Sequence, residues 1–487
     1  MEEENVRHKA AGGMIWTTLQ RFAGIGIQFI SGIILARLLL PEDYGCIGML
    51  AIFMTVATVF MDGGFGSALI QKHRPTQEDY STIFWWNMGM SVLLYFILYI
   101  IAPYLAKFYR MPILSNVLRA QGLVLIFSAI SVIQVNQLQK QLQFKKIALV
   151  RFFSTAIALA VTILLAYKGF GVWSLVAQNL MLALVPSIAF CITNKWHPSL
   201  LFSKKSFKEL FSFGAFMFLT HVINAICNNI QGLLIGRFYN AQTMGYYSKG
   251  RSVEGMATNS ISEALKQVTF PLYAEFQKDL NALADIIKKM TNSVSFVTYP
   301  IIFILILIAK PAFLLLYSER WLSSVHYFQV LCLAGLGTCL TSLNLQAIAA
   351  IGKSKLMFEW TIYKRIASIA LIVAGMWIFG IEGLLWAVVI QSWMNYLVNA
   401  YLVSKHIGYK FSRQMLDMMP ILLISVLAFV ICLCVNHFVQ TSIYILAVLD
   451  VVIYAAVYIG LSYLFQLDAL SSIRQMAVSI RRKKNNR

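Results

Sequence analysis

Positively charged side chains occur inside stretches of the chain that are otherwise apolar enough to lie in a membrane. Arg21 interrupts the first apolar run, and residues 246–270 contain three further cations, Lys249, Arg251 and Lys266. A cation held away from bulk water attracts anions strongly, and the planar guanidinium fork matches the oxygens of a phosphate group. These residues therefore predict a binding site for a phosphate-bearing substrate within the membrane.

The first apolar run, residues 13–45, carries its polar and small residues on one helical face. At helical spacing these residues are Thr17, Arg21, Gly24, Gln28 and Ser31. Because lipid cannot satisfy polar groups, this face must contact protein or a water-filled cavity. Helix packing is the alternative for Gly24, Gln28 and Ser31, whereas the high cost of a buried charge favours a functional role for Arg21.

The same pattern returns 200 residues later in the chain. The matched pairs are Gly32 and Gly232, Arg37 and Arg237, and Gly45 and Gly245. The polar face of the copied helix consists of His221, Asn224, Asn228 and Gln231. An internal repeat with one polar stripe in each copy predicts two lobes with a cavity between them. Arg37 and Arg237 lie near the ends of their helices and are predicted to be structural, bonding headgroups or loop carbonyls.

Residues 246–270 are too polar for an ordinary membrane helix, because they also carry Glu254 and Glu263. Such a helix survives at membrane depth only where most of its surface is wet or buried in protein. An amphipathic helix on the membrane surface is the alternative, but the place of this segment in the repeat favours a cavity-lining helix. Glu254, Glu263 and Asp450, which lies in the last apolar run, are candidate ion-coupling residues. For Asp450 a simple buried pair is the alternative.

The composition is that of a polytopic membrane protein. The chain has 487 residues, of which 59% are hydrophobic and 12% charged, and its mean hydropathy is +0.71. We predict an all-α fold of about fourteen transmembrane helices, with two six-helix repeat lobes and two further C-terminal helices. The predicted segments are an N-terminal lobe (1–194, helices 1–6), a basic cytoplasmic connector (195–210), a C-terminal lobe (211–405, helices 7–12), and helices 13 and 14 with a basic cytoplasmic tail (406–487). The segment KPAFLLLYSERW is predicted to be an outer loop.

The distribution of charge predicts the topology of the chain. The formal net charge is +20, and most of the 40 Lys and Arg residues fall in segments predicted to be cytoplasmic. This positive-inside bias places both termini in the cytoplasm. The tail RRKKNNR is accordingly predicted to meet lipid headgroups and not nucleic acid. The N-terminus lacks the order of segments that marks a cleaved signal peptide.

The sequence contains no motif for soluble-type catalysis. It has no phosphate-binding GxxxxGK[ST] loop, and its His, Cys and carboxylate residues do not have metal-ligand spacing. We therefore predict no catalytic residues, no metal, no cofactor and no enzymatic activity. Without a nucleotide site, the energy for transport must come from an ion gradient, the membrane potential, or substrate and product levels.

Several stretches resemble one family of transporters. They are IILARLLLPEDYGCIGMLAIFMTVATVFMDGGFGSALIQ, followed by TIFWWN, and then GFGVWSLVAQ, TFPLYAEFQKD and SERW. The chain resembles, over nearly its whole length, the Wzx-type polysaccharide-export flippases of lipopolysaccharide, O-antigen and capsule synthesis. These belong to the multidrug/oligosaccharidyl-lipid/polysaccharide exporter superfamily. The resemblance implies two pseudo-symmetric six-helix lobes with two extra helices. It also implies movement of a polyprenyl-pyrophosphate-linked oligosaccharide from the inner to the outer leaflet of the bacterial cytoplasmic membrane.

The chemistry of the residues agrees with an anionic lipid substrate. The predicted substrate-binding residues are Arg21, Gln28, His221, Asn224, Asn228, Lys249, Arg251 and Lys266. Rocking of the two lobes would give alternating access to them. The expected partners are the lipid-linked oligosaccharide, membrane lipids, and a polysaccharide polymerase with its export machinery; nucleic acid is not among them.

Three other functions compete with this prediction. A multidrug cation exporter of the same superfamily would need acidic residues in its cavity, and Glu254 and Glu263 keep that function open. A membrane-bound sugar polymerase or ligase would be expected to show a large outer loop with His or Arg pairs, which the sequence lacks. A scaffold role within a synthesis complex is compatible with transport.

Overall fold

A computed structural model describes residues 24–194, 196–439 and 441–467 of the chain. Within these ranges the backbone is helical apart from short turns and connections, and it contains no β-strand. The predicted all-α class is therefore confirmed. The helices form two compact units, which divide between Ser248 and Lys249.

The first unit contains the helices that precede this division. They are α1 (Gly24–Leu38), α2 (Pro41–Asp62), α3 (Phe65–Gln71), α4 (Gln77–Phe108), α5 (Ile113–Lys140), α6 (Phe144–Tyr167), α7 (Val172–Asn194), α8 (Lys204–Phe238) and the start of α9 (Ala241–Glu275). The second unit contains the remainder of α9 and the helices that follow. These are α10 (Leu280–Leu307), α11 (Ala309–Tyr317), a 3₁₀ turn (Glu319–Trp321), α12 (Ser323–Ala350), α13 (Ser354–Ile407), α14 (Phe411–Phe438) and α15 (Ile443–Leu464). The six-helix lobes stay a prediction from the repeat, because the division between the compact units falls inside α9.

The sequence predicts about fourteen transmembrane helices. Among the described residues, eleven stretches are long and apolar enough to span a membrane. One of them, α13, is interrupted at Gly380, whose φ of 63° and ψ of −142° are not helical, so α13 corresponds to two of the predicted helices. The shorter apolar α1 and the polar α9 are not among the eleven. The protein is a multi-pass membrane protein.

One predicted loop is in fact helical. Most of the segment KPAFLLLYSERW forms α11 and the 3₁₀ turn. The reason is its apolar run, which buries Phe313 and Tyr317 almost completely and so makes a packed helix more favourable than a solvated loop.

The repeat produces a symmetric contact between the starts of α2 and α9, within the first unit. A Cβ atom added to Gly45 would overlap the carbonyl oxygen of Ala241, and one added to Gly245 would overlap that of Pro41. The two contacts are related by the same shift of 200 residues that relates the sequences. Glycine at both positions lets the helix backbones approach more closely than any side chain would permit.

The connector after α7 is held against the start of α4. The Ser199 hydroxyl lies 2.8 Å from that of Ser81, the Trp85 indole N–H donates to the Ser199 carbonyl at 2.9 Å, and the Ser203 N–H donates to the Thr82 hydroxyl at 3.0 Å. α8 then begins at Lys204, so the second half of the predicted connector is helical. These hydrogen bonds fix the entry of the chain into α8, the helix that carries the copied polar stripe.

Ion pairs connect α4 and α8 at the same end of the first unit, through Lys72. The Lys72 ammonium lies 3.1 Å from the Asp79 carboxylate and 3.2 Å from that of Glu209. Partial burial disfavours the charge of Lys72, but its hydrogen bonds to the two carboxylates outweigh that effect, so the pKa of Lys72 is raised. Lys140 donates to the Ile70 carbonyl at 2.9 Å and thereby caps the end of α3.

Candidate functional site

In the first unit, the predicted site residues lie on α1 and α8. Arg21 lies outside the described residues. Gln28 on α1 and His221 and Asn228 on α8 have exposed side chains, and Asn224 is partly buried. Lipid cannot satisfy exposed amide and imidazole groups along membrane helices. Each of these faces is therefore suited to a water-filled or headgroup-filled space.

Asp62 is an acidic neighbour of His221 that was not predicted from the sequence. Asp62 closes α2, where its carboxylate accepts the backbone N–H groups of Gly64 and Gly66 and is attracted electrostatically to His221. Gly63 and Gly64 take the left-handed backbone conformation that ends α2. The Asp-Gly-Gly break was visible in the sequence, but its proximity to His221 depends on helix packing. In the first unit, Asp62 at the end of α2 and His221 on α8 therefore interact electrostatically.

In the second unit, Lys249 is buried against two aromatic rings. Its Nζ atom lies 3.9 Å from the ring centroid of Tyr317 and 5.5 Å from that of Trp321, and only 5% of its surface is exposed. Aromatic faces attract an ammonium group, most strongly when water is excluded. The Lys249 ammonium is therefore held by aromatic rings in and beside the SERW segment.

Arg251 and Glu254, one turn apart on α9, differ in their exposure. Arg251 is exposed, whereas Glu254 is buried and accepts a 2.7 Å hydrogen bond from Thr258. The missing side chain of Gly335 on α12 makes room for Glu254 and Thr258. Arg251 also attracts Glu254 electrostatically. The accessible charge on this part of α9 is consequently positive.

Glu263 and Lys266 form an ion pair on α9. Their carboxylate and ammonium groups lie 2.6 Å apart, one helical turn from each other, and both side chains are 39% exposed. Exposed pairs of this kind contribute only about 0.3–0.5 kcal/mol to stability. The structure thus gives Lys266 an acidic neighbour on its own helix.

Asp450 also has a partner. The side-chain amide of Asn436 on α14 donates to both of its carboxylate oxygens, at 3.0 and 3.1 Å, and Asp450 is 4% exposed. This is the buried-pair alternative that the sequence left open. In the part of the chain that the structure describes, no group of three or more His, Cys, Asp or Glu side chains could hold a metal ion.

The geometry of Arg237 fits its predicted structural role. Its guanidinium donates to the carbonyl of Phe108 at 2.8 Å and lies 4.9 Å from the centre of the Phe108 ring. Arg237 thereby ties the end of α8 to the end of α4, as expected for an arginine that bonds a loop carbonyl.

Comparison with known proteins places these features in a family context. Two curated relatives cover most of the chain. The teichuronic acid biosynthesis protein TuaB of Bacillus subtilis is 25% identical over 446 residues, covering 89% of this chain and 91% of that protein. The lipopolysaccharide biosynthesis protein WzxC of Escherichia coli is 21% identical over 408 residues, covering 82% of each.

Two solved structures share the fold. The lipid II flippase MurJ, in an inward closed conformation, matches with a TM-score of 0.76 and 15% identity, covering 94% of this chain and 99% of that one. An inward-facing multidrug transporter of the MATE family and MOP superfamily matches with a TM-score of 0.59 and 14% identity, covering 81% and 98%. The chain therefore shares the fold of these two proteins, whereas its division into two six-helix lobes stays a prediction.

A family model described as "Polysaccharide biosynthesis protein" matches residues 34–326, which is more than half of the chain. The chain belongs to this polysaccharide biosynthesis protein family of membrane proteins.

Proposed function

We propose that this protein is a flippase that moves a polyprenyl-pyrophosphate-linked oligosaccharide from the inner to the outer leaflet of a bacterial cytoplasmic membrane. The family membership carries this proposal, because its relatives are named for teichuronic acid and lipopolysaccharide biosynthesis. A lipid II flippase shares the fold, which agrees with a lipid-linked substrate. Alternating access of the two repeat lobes provides the transport step, and no covalent chemistry is required.

The placement of charge on α9 supports an anionic substrate. Arg251 is accessible, while Glu254 is buried. In a low-dielectric site an accessible guanidinium attracts a pyrophosphate and repels a cation. We assign to the substrate path the exposed polar residues Gln28, His221 and Asn228 of the first unit and Arg251 of the second. Its further predicted members are Arg21, Asn224, Lys249 and Lys266. The sugar head would follow this polar path while the prenyl tail stays in lipid.

Multidrug cation export is the competing function, since a MATE transporter shares the fold. It would require an accessible carboxylate, but Glu254 is buried and Glu263 is paired with Lys266. A coupling role is a separate question from cation export. Asp450 is hydrogen-bonded to Asn436 and Glu263 is paired with Lys266, so we retain Glu254 as the candidate for proton or cation coupling.

We further propose that both termini are cytoplasmic, and that a polysaccharide polymerase and export machinery use the flipped product. A reporter that is active only outside the cytoplasm should be silent after Arg487. It should be active when inserted at Asn240, in the turn between α8 and α9. The reverse pattern would contradict the proposed orientation.

The decisive test locates the lipid-linked oligosaccharide in cells that lack the protein. A sugar-specific probe that cannot cross the membrane is applied to intact and to permeabilised spheroplasts. We expect the intermediate to be labelled only after permeabilisation, and complementation with the wild-type gene to restore labelling of intact spheroplasts. Equal labelling of intact cells with and without the protein would reject the flippase. A loss of dye-cation efflux, with oligosaccharide export unchanged, would favour the multidrug exporter.

A further inference from the structure

A polar cavity lies inside the first unit, apart from the residues predicted to bind substrate. It has a volume of about 350 Å³ and is lined by residues of α1, α5, α6 and α7. Its volume is near the lower end of the roughly 300–1,000 Å³ that is usual for small-molecule sites. The cavity can therefore hold a charged headgroup but not a whole lipid-linked oligosaccharide.

Arg151 on α6 is the charged residue of this cavity. Its guanidinium makes no hydrogen bond or ion pair with any of the described residues, and its side chain is accessible. Arg151 lies two turns after the start of α6 at Phe144, which is roughly 10 Å along the helix axis. A cation at this depth requires a counter-charge, because an unpaired charge is costly within a membrane.

A second polar group of the cavity also lacks a partner. Ser154, one turn after Arg151, is 2% exposed, and its buried hydroxyl makes no hydrogen bond within the described part of the chain. By contrast, the nearby Thr155 hydroxyl is already bonded, donating to the Arg151 carbonyl at 2.8 Å. Buried hydroxyl groups nearly always have a partner, so Ser154 points to a ligand that accepts a hydrogen bond.

We propose that Arg151 and Ser154 form a subsite for a phosphate-type anion carried by a lipid. The guanidinium offers a planar fork of donors and the hydroxyl offers one more, a set that matches phosphate oxygens. The cavity reaches α1 at Gly24, one turn before Gln28 on the same helical face. The subsite thus adjoins the polar face of α1 and is suited to receive the pyrophosphate of the substrate.

The pyrophosphate assignment rests on the proposed function, whereas the anion subsite itself rests on the cavity. A phospholipid headgroup offers the same phosphate chemistry, so the test must separate the two sources. An arginine that merely reaches towards lipid headgroups at the membrane surface would need neither this cavity nor the buried Ser154 hydroxyl, which makes no hydrogen bond within the described part of the chain.

The test measures binding to the purified full-length protein in detergent. The probes are a short-chain prenyl pyrophosphate, the matching uncharged prenyl alcohol, and phosphatidylglycerol. Arg151→Gln should weaken binding of the prenyl pyrophosphate about 10- to 150-fold, the loss expected for a charge-assisted hydrogen bond. Arg151→Lys should restore part of that affinity, because a point charge replaces the two-point fork. Ser154→Ala should weaken binding about 2- to 13-fold.

Lys146→Gln is the matched control, since Lys146 is an exposed cation on the same helix, outside the cavity. It should bind the prenyl pyrophosphate like the wild type, and the prenyl alcohol should not distinguish any of the variants. Melting curves accompany each measurement, and Arg151→Lys, which keeps the charge, covers the case in which Arg151→Gln folds poorly.

The outcomes separate the subsite from the proposed function. Selective loss of prenyl pyrophosphate binding in Arg151→Gln supports the subsite and its substrate. Equal loss for phosphatidylglycerol supports the anion subsite with an ordinary phospholipid as its source. Wild-type affinity in both Arg151→Gln and Ser154→Ala overturns the subsite while leaving the flippase intact. A wild-type protein that binds neither charged probe counts against both.

Discussion

The helices α2 and α9 are copies of one element in the repeat, and they differ after their first turns. Both begin with a glycine that contacts the backbone of the other copy, at Gly45 and Gly245. Beyond that point α2 is apolar, whereas α9 is not apolar enough to be recognised as a membrane span. The shared start builds the scaffold, and the divergent remainder carries charge.

The shift of 200 residues shows what changed between the copies. The polar residues Lys249, Arg251 and Glu254 of α9 stand where α2 has Met49, Ala51 and Met54. The pattern is reversed at the last residue of α2, where Asp62 corresponds to Ser262 of α9. The repeat therefore suggests which mutations to test, because each charged residue can be replaced by the residue at the matching position of the other copy.

The largest effect should come from the part that the copies share. Gly45→Ala and Gly245→Ala each place a methyl group on a backbone carbonyl oxygen of the opposite helix. We expect each to lower the free energy of unfolding by about 1–3 kcal/mol, as over-packing does, and to reduce protein abundance. Thermal melting of the purified variants measures this effect.

Gly460→Ala on α15 is the control, because an added methyl group there meets nothing within 4 Å. If Gly45→Ala melts at the same temperature as Gly460→Ala, the contact is not tight. If only one of Gly45 and Gly245 is sensitive, the symmetry of the contact is broken.

The next effect concerns the accessible cation of α9. Arg251→Ala, the α2 counterpart, should reduce export about 10-fold at unchanged melting temperature. This is the lower end of the loss of a charge-assisted hydrogen bond, because Glu254 already attracts Arg251. Export is measured by labelling oligosaccharide on intact spheroplasts. Lys289→Ala removes an exposed cation from α10 and should export normally; equal export by both variants would remove Arg251 from the substrate path.

A smaller effect on stability should follow from Asp62→Asn. The amide keeps one acceptor oxygen for the Gly64 and Gly66 N–H groups, but it loses the negative charge that strengthens both bonds and attracts His221. We expect a loss of about 1–2 kcal/mol in the free energy of unfolding. Ser262→Ala, at the matching position of α9, removes only a weak 3.9 Å contact with the Cys339 sulfur and should change stability less. A larger loss of stability in Ser262→Ala than in Asp62→Asn would show that Asp62 does not contribute more than Ser262.

Much of the fold could be predicted from the sequence because its signals are local. Apolar runs indicate where the membrane helices lie, and Gly380 takes the non-helical conformation that divides the long apolar α13. The matched glycines of the repeat were visible as well, since a shift of 200 residues needs no knowledge of packing.

The site was less predictable, because its contacts join different helices. The partner of Asp450 is Asn436 on the preceding helix, and nothing in the spacing of the two residues identifies it. Arg151 was not predicted as a site residue because it follows the basic residues Lys145 and Lys146, whose charge is explained by the predicted cytoplasmic side of the membrane. Its cavity appears only when α1, α5, α6 and α7 are packed together.

The smallest effect is expected at Lys249, for which the sequence and the structure suggest different roles. The sequence places Lys249 among the substrate-binding cations, whereas its ammonium is buried over the Tyr317 ring. Lys249→Met, the α2 counterpart, loses a cation–π attraction of up to about 2 kcal/mol. It also removes the cost of burying a charge, so the two terms largely cancel. We therefore expect a change within about 1 kcal/mol in stability and export near the wild-type level. Tyr317→Leu, which keeps the charge but removes the nearer ring, should destabilise the protein more than Lys249→Met does, because the buried ammonium then loses its closest aromatic contact. A strong loss of export in Lys249→Met, at normal melting temperature, would return Lys249 to the substrate site and remove the contrast between the buried and the accessible cations of α9.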